Sequence, residues 1–333
     1  MNLKAGLLGG GSWGTTVASL IARNAPVTIW ARCADTVREI NEDHRNSKYL
    51  PGATLNSKLV ATGSIEEAVA GCDVLVMGVP SQHFRSVLQQ ASEHIRPWVP
   101  VISLTKGLEA GSEMRMTEII EEVLPGHPVG VLTGPNLARE IIGGQAAASV
   151  MAMEDEIIVR ALQGVFHSGL FRVYTNTDLI GCELGGVLKN IIAIAVGMGD
   201  GQGAGDNTRS ALITRGLAEI TRLGVAMGGR PETFAGLAGM GDLIATCTSP
   251  QSRNRHVGYE LGKGRPLDEI IGEMNQVAEG VKSAKVVLEL AEEYGVEMPI
   301  AQEMYACVQG EQTAMGAYRG LVSRKSTSES AAG

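Results

Sequence analysis

The chain has 333 residues, of which 44% are hydrophobic and 19% charged, with 43 glycines and a net charge of −8. This composition predicts a soluble globular protein, long enough for two domains. The acidic balance argues against general nucleic-acid binding or an anionic membrane surface as partner. The five cysteines form no CxxC pair and no metal-ligand spacing, so we expect reduced thiols in a cytoplasmic protein and no metal site. No signal peptide is expected, because the N-terminus begins directly with a strand pattern.

A strand, a glycine turn and a helix follow one another at the N-terminus. An apolar run at 3–8 precedes Gly9-Gly10-Gly11-Ser12-Trp13-Gly14, and apolar residues then recur at helical spacing up to Ile21. In this context the GxGxxG pattern indicates dinucleotide binding. Gly9 permits the tight turn, Gly11 lets a pyrophosphate approach the backbone, and Gly14 lets the helix pack on the strand. The alternative is a glycine-rich turn without a ligand.

The second predicted strand, 27–31, ends in Arg32. In NAD-preferring proteins an acid at this place binds the adenosine ribose hydroxyls. An arginine suits a 2′-phosphate instead, so NADP is favoured over NAD. A solvated arginine at a strand end is the alternative.

Strands and helices continue to alternate along the first half of the chain. Strands are predicted at 74–79, 101–104, 129–132, 149–153 and 171–174, and helices at 81–95 and 113–124. This order predicts an α/β fold, an N-terminal Rossmann-type doubly wound, mostly parallel sheet over residues 1–178. Ligands of such sheets bind at the carboxyl ends of the strands. These ends carry Gly9, Arg32, Pro80, Lys106 and Gly134, which predicts that one edge of the sheet is the site.

The second half of the chain is predicted to be an all-α C-terminal domain, residues 179–322. Helical patterns cover 178–198, 208–227, 254–261, 281–294 and 299–309. The stretch 197–206 is predicted to be a glycine-rich loop, and 323–333 a disordered tail. The first of these helices is judged too short and too interrupted by charge to span a membrane.

Lys189 lies in the middle of the first helix of this domain. The helix has apolar residues at 184, 187, 188, 191, 192 and 195, a pattern typical of a buried helix. A buried lysine is costly unless its ammonium finds partners. Gly185, Gly186 and Ala193 are small and are expected to leave room for a ligand beside the amine. Lys189 is therefore an acid/base candidate, and a lysine that snorkels to water is the alternative.

Two further stretches indicate chemistry in the second domain. Gly239 and Gly241 flank Asp242 and permit a tight turn that presents a carboxylate; a helix-terminal aspartate is the alternative. Ser252-Arg253-Asn254 precedes a predicted helix and offers a hydroxyl, a guanidinium and an amide for a phosphate or carboxylate. The alternative there is an N-capped surface helix with solvated arginines.

Several of these motifs are long and occur in one order. They are GGGSWGT, TKGLE, GGVLKNIIAIAVGMGDG, ALITRGLAEI, GMGDLIATCTSPQSRNRHVG and VAEGVKS. With them the chain resembles the NAD(P)-dependent glycerol-3-phosphate dehydrogenases of bacteria from residue 3 to about residue 322. The resemblance implies a cytoplasmic oxidoreductase that interconverts dihydroxyacetone phosphate and sn-glycerol 3-phosphate for phospholipid synthesis. A homodimer through the helical domain is expected.

The resemblance also implies roles for individual residues. Lys189 is the implied proton donor and acceptor. The implied substrate positions are Lys106, Gly134, Asn136, Lys189, Asp242, Ser252, Arg253 and Asn254. The implied cofactor positions are Ser12, Trp13, Arg32, Lys106, Ala138, Arg253, Val277 and Glu279, besides the three glycines of the turn. The chain departs from the family at Asn136, where Ser or Thr is usual, and at Gly10, where alanine is usual.

Two alternative functions are considered, one within the enzymes and one from another class of protein. One is a different dehydrogenase with a helical second domain, acting on a hydroxy acid or an acyl thioester. Some of these use a His–Glu pair as base, but no histidine lies on the Lys189 helix, and His167 and His256 are expected to be exposed. The other is a dinucleotide-sensing protein without catalysis. The presence of Lys189, Asp242 and Arg253 argues against it.

Overall fold

The computed structural model describes residues 3–274 and 278–323. The chain divides into two compact units. The first comprises the residues up to Lys106 together with Met114–Leu179. The second comprises Gly107–Glu113 and the chain from Ile180 onward.

The first unit is built on an eight-stranded sheet with the order β3-β2-β1-β4-β5-β6-β7-β8. Its strands are β1 (Ala5–Leu8), β2 (Val27–Trp30), β3 (Val60–Thr62), β4 (Val74–Met77), β5 (Val101–Ser103), β6 (Val129–Thr133), β7 (Ala147–Met153) and β8 (Phe171–Asn176). All neighbouring pairs are parallel except β6 and β7. The prediction of a doubly wound, mostly parallel sheet is confirmed, and the sequence analysis missed the short strand β3.

The described residues of the first unit form seven α-helices. They are α1 (Ser12–Ile21), α2 (Ala34–Arg38), α3 (Ile65–Val69), α4 (Ser81–Ser92), α5 (Met116–Val123), α6 (Ala138–Ile142) and α7 (Glu156–Phe166). A π-helical segment, Glu39–Asp43, follows α2 directly. Helix α1 contacts α6 and α7, while α4 contacts α3 and α5. The central strand β1 is fully buried, as expected for a parallel strand covered on both faces.

From Ile180 onward, the regular secondary structure of the second unit's described residues is helical. Its helices are α8 (Leu179–Gly201), α9 (Asp206–Ala226), α10 (Pro231–Phe234), α11 (Asp242–Thr248), α12 (Arg253–Gly262), α13 (Leu267–Gly272), α14 (Glu279–Glu293), α15 (Pro299–Val308) and α16 (Ala314–Ser323). A π-helical segment, Leu237–Gly241, leads into α11. The apolar positions predicted for α8 are all buried in the core of this unit.

Helix α8 is longer than the sequence predicted. With 23 residues it is long and apolar enough to cross a membrane, but 89% of its most apolar 18-residue stretch is buried inside the protein. Its apolar surface is therefore accounted for by the core. The statement that it is too short for a span was wrong.

The predicted loop at 197–206 is confirmed only at 202–205, because α8 continues to Gly201 and α9 begins at Asp206. A Cβ at Gly197 would lie 2.1 Å from the carbonyl oxygen of Arg255, and one at Gly201 would lie 2.2 Å from that of Tyr259. On α12, Gly258 and Gly262 meet the carbonyls of Ile194 and Met198 in the same way. These four glycines allow two helix backbones to touch. The predicted tail lies outside the described residues beyond Ser323.

Candidate active site

The glycine turn between β1 and α1 has the geometry of a phosphate cradle. Gly9 has φ +127°, and a Cβ there would lie 2.4 Å from the carbonyl oxygen of Gly78. A Cβ at Gly14 would lie 2.1 Å from the Gly9 carbonyl oxygen. A Cβ at Gly11 would meet no atom within 4 Å, so a ligand can approach the backbone there. Helix α1 begins at Ser12, and its first N–H groups are available to an anion.

Two features of the turn concern residues that the sequence analysis singled out. Trp13 Nε1 is buried and has no hydrogen-bond partner among the described residues, which is unusual for an indole. A Cβ at Gly10 would lie 2.7 Å from Cβ of Ala31. The departure from alanine at position 10 therefore has a steric reason in this chain, since alanine would collide with the end of β2.

Arg32 follows β2 directly and is exposed. Its guanidinium makes no hydrogen bond or ion pair that involves another described residue of the first unit. A cation at this carboxyl end is available to an anionic group on the adenosine ribose.

Lys106, Gly134 and Asn136 lie beyond the carboxyl ends of β5 and β6, which are neighbours in the sheet. The Lys106 ammonium donates to the Gly134 carbonyl oxygen at 2.9 Å. Gly134 has φ +120°, and a Cβ there would lie 3.3 Å from Cα of Ser149. The Ser149 hydroxyl donates to Oδ1 of Asn136, and Nδ2 of Asn136 is buried without a partner in the described chain. Ala138 opens α6, the helix that follows this turn.

In the second unit, Lys189 meets Asp242 and Thr246 on α11. Its Nζ lies 2.8 Å from Oδ1 of Asp242, and the two side chains are 7% and 3% exposed. The ammonium also donates to Oγ1 of Thr246, whose hydroxyl lies 2.7 Å from the Asp242 carbonyl oxygen. The snorkelling alternative is thereby excluded. An ammonium carries three hydrogens, so these two contacts leave one for a further acceptor.

The chain reaches this arrangement by a close approach to α8. A Cβ at Gly185 on α8 would lie 2.7 Å from the carbonyl oxygen of Ala238. Within the approaching segment, a Cβ at Gly239 would lie 2.1 Å from the carbonyl oxygen of Phe234. The glycine-flanked turn predicted around Asp242 is the π-helical segment that runs into α11. The face at Gly185 is occupied by this backbone, so the expected room for a ligand on that side of Lys189 was wrong.

Helix α12 begins where the sequence predicted an anion site. Ser252 is its N-cap and accepts from the Arg255 amide at 3.2 Å. Arg253 as a whole residue is exposed. Protein around its guanidinium nevertheless desolvates that group and lowers its pKa, and the Glu279 carboxylate opposes this shift. Arginine side chains remain cationic in proteins, so Arg253 can still attract an anion. Glu279 opens α14, and Val277 lies outside the described residues.

Asn254 joins this helix start to the lysine helix. Its Nδ2 donates to Oδ1 of Asn190 at 2.9 Å, and its Oδ1 accepts from the Gly280 amide at 3.0 Å. An amide nitrogen carries two hydrogens, so these bonds leave one donor on Asn254. Asn190 is the neighbour of Lys189 and is 5% exposed. The bonds fix the Asn254 side chain beside the catalytic candidate.

Asp200 also holds the start of α12, and the sequence analysis did not assign it a role. Its Oδ2 accepts from Nε of Arg255 at 2.8 Å, and its Oδ1 accepts from Nε of Arg209 at 2.9 Å. The carboxylate is 3% exposed, so it is a buried acid shared by two arginines. Thr246 was missed as well, although it lies four residues after Asp242, the spacing at which helical neighbours meet.

The features of the two units define the class of the protein. A Rossmann sheet with a GxGxxG turn, followed by a helical unit with a buried lysine–aspartate pair, is the architecture of a nicotinamide-dependent dehydrogenase. The family model "NAD-dependent glycerol-3-phosphate dehydrogenase N-terminus" matches residues 4–159, and the corresponding C-terminus model matches residues 178–318. The chain belongs to the NAD-dependent glycerol-3-phosphate dehydrogenase family.

Individual relatives agree over nearly the whole chain. The glycerol-3-phosphate dehydrogenase [NAD(P)+] 2 of Sphingopyxis alaskensis is 74% identical over 322 residues, 97% of each chain. The glycerol-3-phosphate dehydrogenase [NAD(P)+] of Mycobacterium avium is 57% identical over 96% of this chain and 94% of its own. The crystal structure of the glycerol-3-phosphate dehydrogenase of Coxiella burnetii superposes with a TM-score of 0.92 at 36% identity, covering 97% of this chain and 99% of its own.

Proposed function

We propose that the chain is an NAD(P)-dependent sn-glycerol-3-phosphate dehydrogenase that interconverts dihydroxyacetone phosphate and sn-glycerol 3-phosphate. The observation that carries the proposal is the ammonium of Lys189, held at 2.8 Å from Asp242 within an apolar helix. The cationic start of α12 lies on the same unit. Its relatives bear this activity in their names, and the alternative dehydrogenases and the dinucleotide sensor have no comparable support.

The first unit fits a nicotinamide dinucleotide. The open space at Gly11, the start of α1 and the unpaired Trp13 Nε1 are what a pyrophosphate-containing ligand would use. We assign Gly9, Gly11, Ser12, Trp13, Gly14, Arg32, Lys106 and Ala138 of this unit, and Arg253, Val277 and Glu279 of the other, to the cofactor. When bound, the cofactor supplies or accepts the hydride.

Lys189 is the residue assigned to the proton. In the reduction its remaining N–H donates to the oxygen on C2 of the substrate, and in the oxidation the neutral amine takes that proton back. Asp242 and Thr246 hold the amine in position. For the phosphate group we assign the guanidinium of Arg253 and the free donor of Asn254, since charge-assisted bonds are strong. Ser252, Lys106, Gly134 and Asn136 complete the proposed substrate positions.

Arg32 supports a preference for NADPH over NADH. It is an exposed cation at the carboxyl end of β2, where an NAD-preferring protein has an acid. We expect Arg32→Asp to lower the ratio of kcat/KM for NADPH to that for NADH at least about tenfold, the loss of one charge-assisted contact. An unchanged ratio would mean that Arg32 does not bind the 2′-phosphate.

Several organisational features belong to the same proposal. Residues 1–178 are assigned to dinucleotide binding and 179–322 to the substrate and catalysis, in a cytoplasmic enzyme of phospholipid synthesis.

A homodimer through the helical unit is supported by Met315, Tyr318 and Val322, which are 44%, 42% and 66% exposed and share one face of α16. Sedimentation of the full chain tests the dimer, and a monomer at assay concentration would contradict it.

The experiment that tests the function measures nicotinamide absorbance with dihydroxyacetone phosphate, unphosphorylated dihydroxyacetone and a 2-oxo acid as substrates. We expect NADPH oxidation with dihydroxyacetone phosphate and a much lower kcat/KM for the other two. Preferential turnover of the oxo acid would favour the alternative dehydrogenase. NADPH binding without turnover of any substrate would favour the sensor.

A further inference from the structure

Asn46 lies directly beneath the glycine turn, although it is distant from it in sequence. It is 0% exposed. Its Nδ2 donates to the Gly10 carbonyl oxygen at 3.0 Å and to Oγ1 of Thr15 at 2.9 Å. Its Oδ1 is buried and has no partner in the described part of the chain. A carbonyl oxygen only accepts, so the amide must present its nitrogen to Gly10.

The bond to Gly10 fixes the plane of one peptide group. In a trans peptide the C=O and the following N–H point in opposite directions, and the structure contains no cis peptide bond among its described residues. Because the Gly10 carbonyl points toward Asn46 in the interior, the Gly11 N–H points the other way. A Cβ built on Gly11 would meet nothing within 4 Å, so no neighbouring atom crowds that position of this residue.

This peptide group needs an external anchor because it lies between two glycines. Rotation of the Gly10–Gly11 peptide changes ψ of Gly10 and φ of Gly11, and glycine tolerates such changes with little steric cost. A residue with a Cβ at position 10 would restrict the rotation, but Ala31 excludes one there. The Asn46 amide supplies the missing restraint.

Asn46 itself is held by the segment that carries it. The main-chain carbonyl oxygen of Asn46 accepts from the Leu50 N–H at 2.8 Å. The main-chain N–H of the neighbouring Ser47 donates to Oε2 of Glu39 at 2.8 Å. Leu50, Leu55 and Leu59 of the same segment are buried in the core of the first unit. The segment between α2 and β3 is therefore a rigid support.

We propose that Asn46 is a positioning residue for the cofactor: it orients the Gly10–Gly11 peptide so that the Gly11 N–H faces the pyrophosphate of the bound dinucleotide. The inference rests on the proposed function, because it takes the dinucleotide as the ligand of this turn. It assigns to Asn46 no contact with the cofactor. Its effect passes through the backbone.

The test compares Asn46→Leu with Asn41→Ala in the full-length protein. Asn41 lies in the same segment and exchanges two hydrogen bonds with the backbone of Ala61 on β3, at 2.9 and 2.8 Å. It therefore controls for a general loosening of this segment without touching the glycine turn. The measurements are the Kd for NADPH by calorimetry, KM for each substrate, and thermal unfolding of the ligand-free protein.

We expect Asn46→Leu to raise Kd and KM for NADPH at least about tenfold, the loss of one well-made hydrogen bond to an anion. KM for dihydroxyacetone phosphate should stay within about twofold, because Asn46 bonds only within the first unit. Asn41→Ala should bind NADPH like the parent even where it lowers the unfolding temperature. If Asn46→Leu does not fold, Asn46→Ala replaces it, since it removes the donor and adds no charge.

Two results would overturn the inference. One is a folded Asn46 variant whose Kd for NADPH is within about twofold of the parent. The other is an equal loss of NADPH binding in the Asn41 and Asn46 variants, which would indicate general loosening. Failure of the parent itself to bind NADPH or NADH would instead contradict the proposed function.

Discussion

The Lys189 ammonium and the Asp242 carboxylate form an ion pair of 2.8 Å in which neither side chain is more than 7% exposed. Sequence reasoning alone suggests that removing a buried amine from an apolar helix relieves a desolvation cost. The pair reverses that expectation. Removal of one partner leaves an uncompensated charge in the interior, which typically costs about 3–5 kcal/mol.

We therefore predict that Lys189→Met lowers both stability and activity. Unfolding free energy should fall by on the order of 3 kcal/mol, and the double variant Lys189→Met/Asp242→Asn should recover part of it, because the stranded charge is gone. The chemical step should fall at least about 10²-fold in both variants. Urea unfolding and single-turnover NADPH oxidation measure the two effects. A single-turnover rate close to the parent's would remove Lys189 from the chemistry.

Features with a local signature could be predicted from the sequence. The glycine turn is bounded by a strand and a helix, and Ser252 precedes α12 as an N-cap, so both positions were identified correctly. The alternation of strands and helices was enough to predict the mostly parallel sheet. In each case the signal lies within a few residues of the feature itself.

Features that depend on distant partners could not be predicted. Asn46 contacts Gly10, 36 residues away, and Asp200 contacts Arg255, 55 residues away. Neither residue has a local pattern that sets it apart from a solvated side chain. Gly197 and Gly201 resembled a loop because glycine is typical of turns. Glycine is required at these two positions because the backbone of α12 lies against them, a contact that the sequence alone does not show.

Asp200 is predicted to stabilise the start of α12 in the second unit. Asp200→Ala should cost on the order of 2–3 kcal/mol, less than a fully buried pair, because Arg255 and Arg209 remain 22% and 30% exposed. Release of Arg255 should also raise KM for dihydroxyacetone phosphate and leave Kd for NADPH unchanged.

The matched control for Asp200 is Asp206→Ala. Asp206 pairs with the same Arg209 but is 92% exposed, and exposed pairs are worth at most about 1 kcal/mol. Chemical unfolding and steady-state kinetics of both variants provide the comparison. Equal effects of the two substitutions would show that the shared carboxylate does not position α12.

Two glycine-to-alanine substitutions should change stability in opposite directions. At Gly197 a Cβ would lie 2.1 Å from the Arg255 carbonyl oxygen, so alanine must push α8 and α12 apart, at a cost of about 1–3 kcal/mol or more. Gly164 lies within α7, and a Cβ there would meet nothing within 4 Å. Gly164→Ala should therefore stabilise by about 0.5–1 kcal/mol through helix propensity. Thermal unfolding of both variants measures the contrast, and destabilisation by Gly164→Ala would contradict it.

Cys33 is predicted to be the fast-reacting thiol among the described cysteines. It is exposed and follows Arg32, and a hydrogen bond from the Thr36 backbone is the main cause that lowers its pKa below the ordinary value. Burial raises the pKa of Cys72 and Cys307 to about 11 and that of Cys247 to about 12. The thiolate is the reactive form, so near pH 7 the exposed thiol should react first. Its rate should rise with pH and level off once the pH passes its pKa, whereas the buried thiols should react only on unfolding.

The same thiol reports on the neighbouring cofactor position. If NADPH places its 2′-phosphate at Arg32, saturating NADPH should slow the labelling of Cys33 by a disulfide reagent, because the ligand covers the adjacent residue. NADH, which lacks that phosphate, should protect less at equal concentration. The Cys33→Ser variant supplies the baseline, and the burst of one reactive thiol per chain should disappear from it. Labelling of Cys33 at an undiminished rate under saturating NADPH would show that the adenosine end of the cofactor does not lie beside Arg32.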